Sequence, residues 1–152
     1  MFREMRRSDK TLTQDEMLEV MNKAEYGILS TVDENGWPYG VPVSFLYRDG
    51  NIYFHSALTG HKLDNIAYRH QASFCVVTDV ELIPDDFNTK FKSVIAFGEI
   101  SEVEDKNEIF MLLLEKFSAN YMEAGIKYIQ KAGAKAKVYK LEVKHMTGKG
   151  KK

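Results

Sequence analysis

The sequence predicts a mainly β, α+β fold: six antiparallel strands curling into a small barrel, with helices on its periphery. Three observations predict it. Apolar and polar residues alternate with a period of two over several short segments, the longest running through Tyr39, Val41, Val43, Phe45 and Tyr47. Turn signals of hairpin type, Asp33-Glu34-Asn35-Gly36 and Asp49-Gly50, join neighbouring segments. Helical periodicity is confined to short stretches before, between and after these strands.

The first helix starts at a capping box, Thr13-Gln14-Asp15-Glu16, in which Thr13 caps the first turn and Glu16 reaches back. Met17, Val20, Met21 and Ala24 then give one apolar face, and the helix is expected to end by Tyr26-Gly27. Strands follow at Ile28 to Val32, Tyr39 to Tyr47 and Ile52 to Ser56, a three-stranded meander. Leu63, Ile66, Ala67 and His70 mark a short helix starting near Thr59-Gly60. Ser73 to Asp79 returns to strand, Val80 to Thr89 reads as a loop around Pro84-Asp85-Asp86, and Lys92 to Val103 is a long strand. Gly98 interrupts that strand and predicts a bulge or sharp coil. Ile109, Phe110, Leu112, Leu113, Phe117 and Tyr121 define an amphipathic helix, and a weaker one covers Met122 to Lys131. Tyr139, Leu141 and Val143 alternate with charged residues in the last strand. The chain reads as a single domain over 1–152, with 1–11 and 147–152 as flexible ends.

Composition excludes several function classes. The chain has 152 residues, with 21 Lys and Arg against 22 Asp and Glu, so the net charge is -1. That balance argues against a nucleic-acid or acidic-membrane binder. Hydrophobic residues at 44% and charged residues at 28% are those of a globular domain, not a disordered one. A single cysteine, Cys75, rules out an intrachain disulfide and a multi-cysteine zinc site, and fits a reducing compartment. No apolar run reaches the length of a membrane span, and the N-terminus lacks a signal-peptide core. The expectation is a soluble cytoplasmic protein.

The segment Ile52-Tyr53-Phe54-His55-Ser56-Ala57-Leu58-Thr59-Gly60-His61-Lys62-Leu63-Asp64-Asn65-Ile66 carries the chemistry. A strand runs through a glycine-containing loop into a helix N-terminus, where backbone N–H groups, Lys62 and the Ser56 and Thr59 hydroxyls can cradle a phosphate. His55 and His61 can add donors. A lysine in a first turn opposes the helix dipole, and an anionic ligand would explain it. On pattern alone, an ordinary strand-loop-helix joint fits the segment too. Neither a Ser-His-Asp nor a Cys-His arrangement stands out, so the catalytic residues stay unassigned. A metal site built from His55, His61, His70 and His145 has no supporting carboxylate pattern. Cys75 reads as a buried small hydrophobe, Trp37 as packing or stacking, and the Met17/Met21 and Leu112/Leu113/Phe117 stripes as core or dimer surface.

Tyr53-Phe54-His55-Ser56-Ala57 followed by Gly60-His61-Lys62 resembles the phosphate-binding segment of the flavin-binding split-barrel superfamily. Within it, the resemblance is to the pyridoxamine 5'-phosphate oxidase-related group that includes the 5-nitroimidazole-resistance proteins. Supporting matches are Gly27-Ile28-Leu29-Ser30-Thr31, Gly36-Trp37-Pro38-Tyr39-Gly40-Val41-Pro42-Val43-Ser44-Phe45, Ser93-Val94-Ile95-Ala96-Phe97-Gly98-Glu99-Ile100 and His145-Met146-Thr147-Gly148-Lys149. The resemblance implies a six-stranded split barrel of Greek-key topology, working as a homodimer with FMN at the interface. It implies that Lys62, His61 and Ser56 face the phosphate, and that Pro42, Val43 and Ser44 lie along the isoalloxazine. His55 and Ala57 would sit between these regions, with Ser93 as a further contact. The implied activity is reduction of a nitro compound or another small electrophile, with NAD(P)H as a possible donor. A non-enzymatic flavin-binding or haem-binding protein is the alternative. The Arg-x-His pair with which the naming oxidase holds its substrate is missing, since that region reads Glu142-Val143-Lys144-His145-Met146. This argues against oxidation of pyridoxamine phosphate.

Overall fold

The computed structural model describes residues 1–151. Helix α1 spans Gln14–Lys23, and its capping box forms as expected: the Glu16 N–H donates to Thr13 Oγ1 at 3.2 Å and the Thr13 N–H to Glu16 Oε1 at 3.0 Å. The helix ends at Lys23, ahead of Gly27 as expected. That residue lies within β1, where a Cβ would stand 2.2 Å from the Phe74 ring.

Seven strands follow: β1 Tyr26–Val32, β2 Pro38–Ser44, β3 Leu46–Arg48, β4 Asn51–Ser56, β5 Gln71–Ile83, β6 Asn88–Glu102 and β7 Lys137–Lys151. They form one antiparallel sheet in the order β2-β1-β5-β6-β7-β4-β3. The strand expected from Tyr39 to Tyr47 is broken at Phe45, so the count is seven instead of six. Phe45 is fully buried, with its ring edge-on to Phe74, and its carbonyl accepts from Lys116 Nζ at 2.7 Å. The half before the break pairs with β1 and the half after it with β4. The two edges of the sheet are therefore consecutive pieces of one segment, and the sheet curls round into a split barrel. Strands β1, β2–β3 and β4 are neighbours in sequence, while β5 returns beside β1, which is Greek-key order.

The Asp49-Gly50 hairpin forms with both residues at positive φ, 50° and 79°, as a tight primed turn requires. The loop expected over 80–89 is mostly strand: Glu81, Leu82 and Ile83 pair with Lys90, Thr89 and Asn88, leaving a short turn at Pro84–Asp86. Gly98 sits at the expected irregularity, where the β6–β7 register shifts. A Cβ there would lie 2.1 Å from the Glu142 carbonyl oxygen, so only glycine fits. Residues 147–151, expected as a frayed end, pair with β6. Gly148 lies against Met17 and Leu12, too close for any side chain, and accepts the Leu12 N–H at 2.9 Å. Thr11 also bridges to Lys149, so the N-terminal end is tied down from there onward. Lys152 lies outside the described residues.

Ile52, Phe54, Phe74, Leu29, Val94 and Leu141 fill the barrel, and Met17, Val20 and Met21 of α1 pack against them. Each such side chain contributes about 1.5–3 kcal/mol on burial. Helix α2, His61–Tyr68, follows β4. Helices α3, Lys106–Phe117, and α4, Met122–Ala132, link β6 to β7. The apolar stripe of α3 ends at Phe117, and Tyr121 falls in a separate turn. Ile109, Phe110 and Leu113 form a second cluster with Val138, outside the barrel against Leu46 and Tyr53. Lys116 anchors α3 to the break between β2 and β3, donating to the carbonyls of both Ala24 and Phe45 at 2.7 Å. Among the described residues no helix is long and apolar enough to cross a membrane.

Candidate functional site

Strand β4 ends at Ser56, a short bend carries Ala57 to Gly60, and α2 begins at His61. Gly60 is its N-cap, at φ 148°, and no side chain caps the helix. The N–H groups of its first turn therefore keep their hydrogen-bonding capacity for something else. Buried Asn65 fixes the helix to the barrel, donating from Nδ2 to Thr31 Oγ1 at 3.1 Å.

Lys62 stands in this first turn, half-buried. Burial lowers its pKa from the usual lysine value. No carboxylate forms an ion pair with it among the described residues. A cation that is partly desolvated, unpaired and at the positive end of a helix is unfavourable on its own, and each of those costs is relieved by an anion. His55 is close enough to feel it. Its pKa is lowered, first by desolvation and then by the charge of Lys62, so it is neutral at neutral pH.

The alternation of β4 turns Ile52, Phe54 and Ser56 inward and His55 outward. Ser56 is only 7% exposed, on the side facing the core, whereas the resemblance implies that it faces a phosphate. In β2, Val43 is buried while Pro42 and Ser44 are exposed. Extending the β3–β4 register across the break sets Ser44 beside His55, and both line one cavity of about 400 Å³. His61 packs its ring on Tyr39, with centroids 4.0 Å apart, which ties the start of α2 to β2. Ala57 is exposed at the bend between His55 and Lys62. Ser93 stands apart. From β6 it pairs with Val77 and Lys149, with β1 and β5 lying between it and Ser44 of β2. One protomer thus groups Pro42, Val43, Ser44, His55, Ser56, Ala57, His61 and Lys62, with Ser93 across β1 and β5 from the β2 residues.

The far wall of the cavity is formed by Leu113 and Phe117 of α3 and Tyr128 and Ile129 of α4. Reading Leu113 and Phe117 as core or dimer surface does not anticipate their place in this wall. The exposed aromatics Phe117 and Tyr128 are the signal that could have found it. Tyr39 was visible only as one position in an alternating strand. Among the described residues no group of three or more His, Cys, Asp or Glu is placed to hold a metal ion.

The sequence profile of the pyridoxamine 5'-phosphate oxidase family matches residues 13–150, nearly the whole chain. The chain belongs to that family. No curated protein sequence matches it. Among solved structures, one similar protein is a candidate 5-nitroimidazole antibiotic resistance protein from Bacteroides thetaiotaomicron. It is 22% identical at a TM-score of 0.75, with 92% of this chain and 86% of that one covered. A FAD-binding protein from Mesorhizobium loti is 20% identical at a TM-score of 0.67, over 94% and 98% of the two chains. A FAD and haem binding protein from Mycobacterium smegmatis is 14% identical at a TM-score of 0.79, over 94% and 74%. At these identities the likeness shows a shared fold. This family member keeps no Arg-x-His pair near its C-terminus. The charged residues at that place, Glu142 and Lys144, bond to each other at 2.6 Å.

Proposed function

We propose that this chain is a cytoplasmic FMN-binding flavoprotein that acts as an oxidoreductase, passing electrons from a nicotinamide donor to a small electrophile such as a nitroaromatic compound. The single observation that carries the reading is Lys62: a half-buried, unpaired cation in an uncapped helix turn, within a family whose solved neighbours include flavin-binding proteins. A phosphate monoester satisfies the free N–H groups and the ammonium together.

The other residues fit a flat ring with a polar edge. The backbone of Pro42, Val43 and Ser44 runs beside the break at Phe45, where N–H and C=O groups of a strand end can meet such an edge, and His55 offers a neutral donor or acceptor nearby. Bound FMN supplies reversible two-electron redox chemistry, and the protein contributes position and hydrogen bonds.

The functional unit in this reading is a homodimer. Val77 of β5 and Ile95 and Phe97 of β6 are exposed on the outer face of the sheet, an apolar surface that a second copy would cover. Ser93 lies on that same face, so the second copy would be the one to supply it. Sedimentation of Ile95→Arg tests the dimer: the variant becomes monomeric if this face is the interface, and stays in the wild-type state if it is not. Anaerobic mixing of the FMN-loaded protein with NADPH, followed by a nitro compound, tests the activity. Bleaching of the flavin and its return on adding the acceptor is the expected result. A loaded protein that no nicotinamide reduces is a binder, not an oxidoreductase.

A further inference from the structure

The cavity beside Ser44 and His55 has a composition of its own. It is bounded by Ser44 of β2 and His55 of β4 on one side and by α3 and α4 on the other, and no Asp, Glu, Lys or Arg is among its lining residues. Leu113, Phe117, Tyr128 and Ile129 supply apolar and aromatic surface, while Ser44 and His55 supply the polar groups on the wall opposite. At about 400 Å³ it lies within the range of small-ligand sites. Lys116, the nearest cation of α3, does not line the cavity: its ammonium lies over the Phe117 ring, 5.1 Å from the centroid, and is held by two backbone carbonyls. Lys62 acts on His55 but does not line the cavity.

We infer that this cavity is the acceptor pocket, and that it selects an uncharged, flat, largely apolar molecule of one or two rings with a hydrogen-bond acceptor on its edge. The inference rests on the reading of Ser44 and His55 as lying along the flavin. The charge argument decides the substrate class. A carboxylate or phosphate entering here would lose its hydration without meeting a counter-charge, whereas a neutral ring loses little. The hydrogen bonds it needs are available from Ser44 and His55, and His55 is neutral at neutral pH. The residues that would set specificity are therefore on α3 and α4, away from the helix turn that would hold the phosphate. Discrimination among neutral rings would come from the shape of that wall.

The test titrates FMN-loaded protein, and separately cofactor-free protein, with menadione and with naphthoquinone sulfonate, the same ring system carrying an anion. Tyr128→Glu and Ile129→Glu each place a carboxylate in the wall, and Tyr128 is 70% exposed, so its replacement leaves folding intact. Menadione is expected to bind the wild type, with the sulfonate weaker by about tenfold or more. Both variants should weaken menadione by a similar factor while FMN affinity stays at the wild-type value. Equal binding of the two probes, or menadione binding unmoved in both variants, overturns the inference. A parallel loss of FMN affinity overturns it as well, because the cavity would then hold the flavin ring itself. Should the wild type take up no FMN, the flavoprotein reading fails, and the menadione titration of the cofactor-free protein still decides the pocket.

Discussion

Replacing Lys62 by Met removes the charge and keeps most of the aliphatic stem, which makes it the sharpest perturbation of the phosphate cradle. A charge-assisted hydrogen bond contributes about 1.5–3 kcal/mol, so FMN affinity should fall about ten- to a hundredfold. The half-buried setting of Lys62 and its missing counter-ion favour the upper part of that range. Folding should respond differently. Burial lowers the pKa of Lys62, so the folded state disfavours its proton; that cost is present below the folded pKa and is relieved as pH rises toward the unfolded value. At neutral pH the variant loses a desolvated cation, and the FMN-free protein should be no less stable than wild type. Isothermal titration with FMN and with riboflavin, which lacks the phosphate, isolates the effect. Wild type should prefer FMN, and Lys62→Met should erase most of the preference by weakening FMN alone. An unchanged ratio of the two affinities would refute the assignment and place the phosphate elsewhere.

Three further outcomes follow from the same geometry. His55 has its pKa lowered by desolvation and by Lys62, so its contribution to stability is present above the ordinary histidine value of about 6.5 and is lost as pH falls through the folded value; His55→Gln should flatten the acid side of the stability profile in urea unfolding, and an NMR titration should find the His55 pKa raised in Lys62→Met. Gly98→Ala forces a Cβ to within 2.1 Å of the Glu142 carbonyl oxygen, and should cost about 3 kcal/mol or more in chemical denaturation, at the top of the overpacking range. Lys116→Met leaves the carbonyls of Ala24 and Phe45 without their donor, and should cost about 1–3 kcal/mol in the same assay.

What could be read from the sequence was local. The Thr13–Glu16 box, the Asp49-Gly50 turn, the Gly98 irregularity and the entry into α2 at Gly60 each depend on neighbouring residues, and each is where its residues imply. Lys62 was legible for the same reason, since its conflict with the helix dipole is a property of one turn. The break at Phe45 was not, because the alternation runs through it unbroken. What interrupts the strand is a lysine of α3, far along the chain, that claims the Phe45 carbonyl. The paired tail was hidden because Gly148 and Gly150 have no side chain to signal burial, and their fit is set by Met17 and Leu12 across the sheet. Likewise Tyr39 on His61, and the α3–α4 wall of the cavity, are contacts between distant segments. That β1 and β5 stand between Ser93 and the site residues of β2 is a matter of strand order, which no local pattern carries.

The absorption spectrum of the protein purified under native conditions, with chromatography of the chromophore released on denaturation, bears most directly on the central claim. The account predicts a yellow protein that releases FMN in stoichiometric amount, or a colourless one that turns into it when FMN is added. A Soret band from bound haem, or a protein that takes up no added FMN, would contradict it.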